Sequence, residues 1–73
     1  MIEPIYILVG ARIRMVMEAI DITQGELAKR LKLTRTSVTN ILAGRQRLQL
    51  HTLTAIAKAL GTTEKHLLKG LWL

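Results

Sequence analysis

LTRTSVTNILAG, residues 33–44, decides how this chain is read. Val38, Ile41 and Leu42 stand at i, i+3 and i+4, the spacing of one helix face. Thr34 is placed to cap such a helix from outside, and Gly44 to end it in a left-handed turn. The remaining residues, Thr36, Ser37, Thr39 and Asn40, are middling or poor helix formers, because short polar side chains compete for nearby backbone groups. A helix over 35–43 is therefore expected, with an outer face that is small and rich in hydrogen-bonding groups instead of one that favours the helix.

Working outward, Thr23 is a second N-cap, and Glu26 three residues later completes a capping box. Leu27, Ala28 and Leu31 supply the inner face of a helix over 24–31. Lys32, Leu33 and Thr34 are all that separate the two helices. So short a link forces them to cross steeply, the geometry of a helix-turn-helix. Upstream, Pro4 suits the first turn of a helix over 5–20. That helix has Val9, Ile13, Val16, Met17 and Ile20 on one face, and Leu8, Ala11, Met15 and Ala19 as a second apolar stripe. A two-sided apolar helix needs cover on both sides. The alternative for IYILV, residues 5–9, is a short strand. Downstream of the loop RQRLQ, residues 45–49, the residues Leu53, Ile56, Ala57 and Leu60 mark a helix over 50–60 ended by Gly61. Thr63 caps a short last helix with Leu67 and Leu68, ended by Gly70. The fold expected is all-α: a compact five-helix bundle in one domain spanning 1–73, with the helix-turn-helix at 24–43.

Composition agrees with packed helices. The 73 residues are 49% apolar and only 3% aromatic, so the core must be aliphatic. No cysteine is present to form a disulfide or a thiolate metal site. The net charge of +6 is uneven. Residues 23–47 hold Lys29, Arg30, Lys32, Arg35, Arg45 and Arg47 against Glu26 alone, a net +5, whereas residues 1–22 come to −1. Positive charge gathered around the opening stretch is what a face meeting a polyanion requires. The N-terminal apolar run is too short for a membrane span and lacks a basic region before it, so a cytoplasmic location is expected.

On a helix over 35–43, Val38, Ile41 and Leu42 point inward. Thr36, Asn40 and Ala43 point most directly away, and Ser37 and Thr39 flank them. Arg35, at the N-terminal end, can extend beyond the helix. A slim polar face lets a helix backbone approach the floor of the DNA major groove, about 12 Å wide. There, Asn can pair bidentately with adenine and Arg with guanine.

The run TQGELAKRLKLTRTSVTNILAGRQRL, followed by LTAIAKALGTTEKHLL, resembles the helix-turn-helix domain of phage repressors of the lambda and Cro type, the family called XRE-like. The likeness covers about residues 8 to 70. It implies sequence-specific binding of double-stranded DNA by a small transcriptional regulator, most simply a repressor. By the same resemblance Arg35, Thr36, Ser37, Thr39 and Asn40 occupy base-reading positions, with Arg35, Thr36 and Asn40 the strongest. Gln24, Thr34, Arg45, Gln46 and Arg47 occupy phosphate-contacting positions. Arg12 and Arg14 are weaker candidates. Three departures stand out. Lys32 takes the turn position often held by Gly, Arg35 and Thr36 replace a frequent Gln pair, and Leu48 and Gln49 replace the Pro-Ser or Pro-Thr start of the fourth helix.

One recognition helix touches few base pairs, so a homodimer on a palindromic operator is expected, with half-sites about 34 Å apart. The apolar ends, 1–9 and 67–73, offer the material, with Ile5, Leu8, Leu71, Trp72 and Leu73 at the interface. The rival expectation is an antitoxin or adaptor that uses the same fold to hold a toxin, an antirepressor or a polymerase subunit. An enzyme is not expected. His51 and His66 fall on different helices, Ser37 is the only serine, and nothing surrounds them that would make a triad, a metal site or a cofactor site. The host expected is a bacterial cell or a phage-infected one.

Overall fold

Helix α1, Pro4–Ala19, carries the largest share of the packing problem, because it supplies Val9, Ile13 and Met17 to the core and still shows apolar residues outward. The computed structural model describes residues 4–70 and contains four further helices: α2, Gln24–Leu31; α3, Arg35–Leu42; α4, Leu50–Ala59; and α5, Glu64–Leu68. No strand occurs among the described residues, and IYILV lies wholly within α1. The helix bounds fall within a residue of those expected, since Ala43 and Leu60 serve as C-caps instead of last helical residues.

The α3 helix packs against α1 and α2, α4 against α2 and α5, and α5 against α1. All five contribute to one aliphatic core, in which Ile13, Leu27, Val38, Ile56 and Leu67 are the large side chains closed off completely. No polar or charged side chain is buried among the described residues, so no part of the core depends on a buried hydrogen bond. The stripe Leu8, Ala11, Met15 and Ala19 is exposed as its spacing requires; Leu8 retains 48% and Met15 64% of its surface. Ile20, expected on the inner face, is also exposed, because it falls in the turn after α1 has ended.

The helices start and stop by repeated devices. The hydroxyls of Thr23, Thr34 and Thr63 each accept from the backbone N–H three residues on, and Thr23 with Glu26 forms the full capping box. Gln49, at the start of α4, makes no such bond, which is where the expected Ser or Thr is missing. Four helices close through one left-handed residue: Asp21, Lys32, Gly44 and Gly61. In each case the next N–H reaches back to a carbonyl five residues earlier, as in Ile22 to Met17 and Leu33 to Ala28, both 2.9 Å. Lys32, at the turn position often held by Gly in the family, takes the αL conformation. Asp21 does the same, and Asp tolerates αL better than most residues.

Two glycines set how closely α1 lies on α3. A Cβ at Gly10 would stand 2.8 Å from the Ile41 carbonyl oxygen and collide with that of Leu42. A Cβ at Gly44 would stand 2.6 Å from the Ile7 backbone. Backbone therefore meets backbone at both points, and neither side can yield as a flexible side chain would. Gly10→Ala is expected to lower stability by about 1–3 kcal/mol, the range for overpacking. Gly25→Ala, where a Cβ would meet only the Thr23 hydroxyl at 3.9 Å, is expected to leave stability unchanged or raise it by about 0.5 kcal/mol. Thermal denaturation of the two variants beside the parent chain checks the contrast.

Candidate nucleic-acid interface

The α2 and α3 helices are joined by Lys32, Leu33 and Thr34, and each has a separate task. Lys32 turns the chain through its left-handed conformation, φ 58 and ψ 38, with its N–H still directed at the last carbonyls of α2. Leu33 closes α2 through its bond to Ala28. Thr34 then caps α3: its hydroxyl oxygen accepts from the Ser37 N–H at 3.1 Å and its O–H donates to the Ser37 hydroxyl at 3.0 Å.

Val38, Ile41 and Leu42 are buried, at 1%, 5% and 3% exposure, so the rotation of α3 is as its apolar spacing demands. On the other side Arg35 and Thr36 are exposed, and Ser37, Thr39, Asn40 and Ala43 are half-buried. The outward residues are thus not equally open. The C-terminal end of α3 lies against α1, whose Gly10 meets the Ile41 and Leu42 carbonyls; Thr39 lies against Gln24 of α2, and Ser37 lines a cleft toward α4. The most accessible side chains of α3 are those of its first turn.

Gln24 begins α2, where the N–H groups of Gln24 and Gly25 have no acceptor within the helix and the dipole favours an anion. Its side chain reaches across to α3: the Thr39 hydroxyl donates to Gln24 Oε1 at 2.7 Å. The expected phosphate contact and an expected base contact are in this way joined to each other. After α3, the Arg45 N–H bonds back to the Asn40 carbonyl at 2.9 Å, and Arg45, Gln46 and Arg47 stand exposed. Gln46 and Arg47 line a polar cleft between α3 and the start of α4, together with Ser37, Gln49 and His51. Ser37, paired with Thr34, belongs to that cleft more than to the outer face.

Not every basic residue of the 23–47 segment contributes to this surface in the same way. The Arg30 guanidinium donates to the Ala59 carbonyl at 2.8 Å, at the C-terminus of α4. Arg12 donates likewise to the His66 carbonyl at 3.2 Å, in α5. Each cation sits at the negative end of a helix dipole. Nothing in the spacing of either arginine signals this, since the acceptors lie 29 and 54 residues away. The Thr39–Gln24 bond is hidden from sequence for the same reason.

Elsewhere, Leu8 is exposed on α1, whereas Ile5 is half-buried and packs against its own core. Leu71, Trp72 and Leu73 lie outside the described residues. Among the described residues no group of His, Asp and Glu side chains is arranged to hold a metal ion, and no helix is long and apolar enough to cross a membrane.

A capped helix pair on a three-residue turn, with a slim polar face and basic flanks, defines a helix-turn-helix DNA-binding protein. The family model described as Helix-turn-helix, HTH_3, matches residues 13–67, and the chain belongs to that family of XRE-like, lambda-repressor-type regulators. Among solved structures it is similar to the restriction-modification controller protein C.AhdI from Aeromonas hydrophila, at 26% identity and a TM-score of 0.81 over 85% of this chain and 94% of that one. It is also similar to the DNA-binding domain of the P22 C2 repressor, at 27% identity and a TM-score of 0.79 over 85% and 82% of the two chains. The clp gene regulator ClgR from C. glutamicum shares the fold at 22% identity, with a TM-score of 0.85 over 88% and 83%. No curated protein matches at a significant level. The chain is a DNA-binding transcription regulator, and its partner is double-stranded DNA.

Lys32 offers a test of the turn that leaves this surface in place. A non-glycine residue in the left-handed region costs about 1 kcal/mol, partly offset by the greater freedom glycine has in the unfolded chain. Lys32→Gly is therefore expected to raise stability by about 0.5 kcal/mol in chemical denaturation.

Proposed function

We propose that this chain is a transcriptional repressor that binds a palindromic operator as a homodimer, with α3 lying in the major groove. The observation that carries the reading is the outer face of α3: exposed Arg35 and Thr36 beside half-buried Asn40, all on a helix whose other side is sealed into the core. In this arrangement Arg35, Thr36 and Asn40 read base edges, with Ser37 and Thr39 beside them. Gln24, Thr34, Arg45, Gln46 and Arg47 hold the phosphates on either side. Phosphate contacts set register, and base contacts set sequence. The repressing role is supported by the likeness to the P22 C2 repressor domain. The site of action is the cytoplasm of a bacterial cell or of a phage-infected one.

Two variants separate the two kinds of contact on an operator selected from random duplex DNA. Asn40→Ala is expected to relax preference at particular base pairs, at a cost of about 1–3 kcal/mol there. Arg47→Ala is expected to weaken binding to all sequences alike and to reduce the slope of affinity against salt by about one unit. If both leave binding intact, this surface is not the one that meets DNA.

The exposed stripe Leu8, Ala11, Met15 and Ala19 favours a protein contact as well. A single recognition helix supplies too little discrimination for a genome, so the contact proposed is with a second copy. Leu8→Glu combined with Met15→Glu is expected to yield a monomer in sedimentation and to weaken operator binding. The antitoxin or adaptor reading, in which the stripe holds a different protein, gains if the double variant keeps both its oligomeric state and its affinity for DNA.

A further inference from the structure

Thr39 is placed to do something other than read a base. We propose that it is a positioning residue: its hydroxyl orients the Gln24 carboxamide so that the amide NH2 group faces the DNA backbone. The inference rests on the reading of this surface as a DNA interface, and on one contact in particular. Among the described residues, the 2.7 Å bond from Thr39 Oγ1 to Gln24 Oε1 is the one side-chain hydrogen bond that joins α2 to α3.

The reason lies in the two-faced chemistry of glutamine. Its carboxamide carries an acceptor oxygen and a donor NH2 on the same planar carbon. A phosphate oxygen only accepts, so a Gln that turns its own oxygen toward a phosphate sets like partial charges against each other. The fault is corrected by a donor that occupies Oε1 from the protein side. Thr39 supplies it, since a hydroxyl has a proton to give, and with Oε1 engaged there the NH2 group is left for the phosphate. It then joins the N–H groups of Gln24 and Gly25, which point out of the same helix end without acceptors in the helix.

The contact also removes freedom in advance. A glutamine at a helix start has three rotatable side-chain bonds, and ordering them on binding would weaken the complex. Thr39 is half-buried and β-branched, hence held in few rotamers, so it is a firm post for a longer side chain. The bond further couples register to readout. The anchor on the phosphate is attached at the middle of α3, so the recognition helix cannot slide along its axis without pulling the anchor with it. A hydroxyl committed in this way does not discriminate between bases.

The test compares Thr39→Val, which keeps the shape and removes the hydroxyl, with Thr39→Ser, which keeps the hydroxyl. Each is measured on the selected operator and on its single-base-pair variants, alone and together with Gln24→Ala. The expected result is a loss of about tenfold for Thr39→Val, the worth of one hydrogen bond, equal on every base-pair variant. Thr39→Ser should stay within about twofold of the parent chain, and Thr39→Val should have no further effect once Gln24 is alanine. In the DNA-free protein, nuclear magnetic relaxation of the Gln24 side-chain NH2 should show greater mobility in Thr39→Val and not in Thr39→Ser. Three results would overturn the proposal: full affinity in Thr39→Val, a loss confined to one base pair, or additivity with Gln24→Ala. A parent chain that selects no duplex at all would instead overturn the DNA-binding reading beneath it, a failure seen before any variant is made.

Discussion

The contact between the α1 backbone and the C-terminal end of α3 is the constraint on which the rest of the structure depends. Gly10 lies against the Ile41 and Leu42 carbonyls, and Gly44 lies against Ile7, with no side chain between. That approach brings Val9, Ile13 and Met17 deep enough to seal the core against α3. It also holds α3 at its C-terminal end while leaving its first turn clear. Arg35 and Thr36 at its other end are exposed, and Ser37, Thr39, Asn40 and Ala43 are half-buried. An added methyl group at either glycine would force the α1 and α3 backbones apart.

From that contact outward, fold and site are assembled from short-range rules. Four helices end in the same left-handed closure and three begin with the same threonine cap, so boundaries are set locally and the tertiary contacts have only to choose the angles. The core is aliphatic, without a buried polar group among the described residues. Hydrogen bonding is left to the caps and to the surface. The polar side chains of α3 have helix propensities a few tenths of a kcal/mol poorer than those of better formers, a small loss against the stabilisation from three buried residues on its other side.

Much of this was legible in the chain. The apolar spacing of Val38, Ile41 and Leu42, with Thr34 and Gly44 at the ends, located α3 to within a residue, and the pair Thr23 and Glu26 did the same for α2. Caps and periodicity are local, and sequence carries local information well. Contacts between distant residues were not legible. Nothing marks Gly10 as the point where two backbones meet, since a glycine inside a helix reads only as a weak helix former. Helix geometry gave the angle at which Asn40 points but not the neighbour that half-covers it. Nothing in the sequence joins the Gln24 carboxamide to the Thr39 hydroxyl, because their meeting depends on the angle between α2 and α3. The base-reading and phosphate roles are what the family resemblance and the side-chain chemistry imply.

The two arginines tied to helix ends change what the protein's charge means. Arg30 and Arg12 are directed at the Ala59 and His66 carbonyls and so neutralise partial charges that the fold itself creates. Binding to a polyanion is driven in large part by the release of condensed counterions, one for each cation that replaces them. A cation whose position is fixed by its own backbone displaces one only where the docked phosphates come to lie beside it. The formal charge of +6 is therefore a measure of how the protein behaves at long range, where every charge is felt. At contact, the yield of ions on docking is set by the cations that come to lie beside a phosphate.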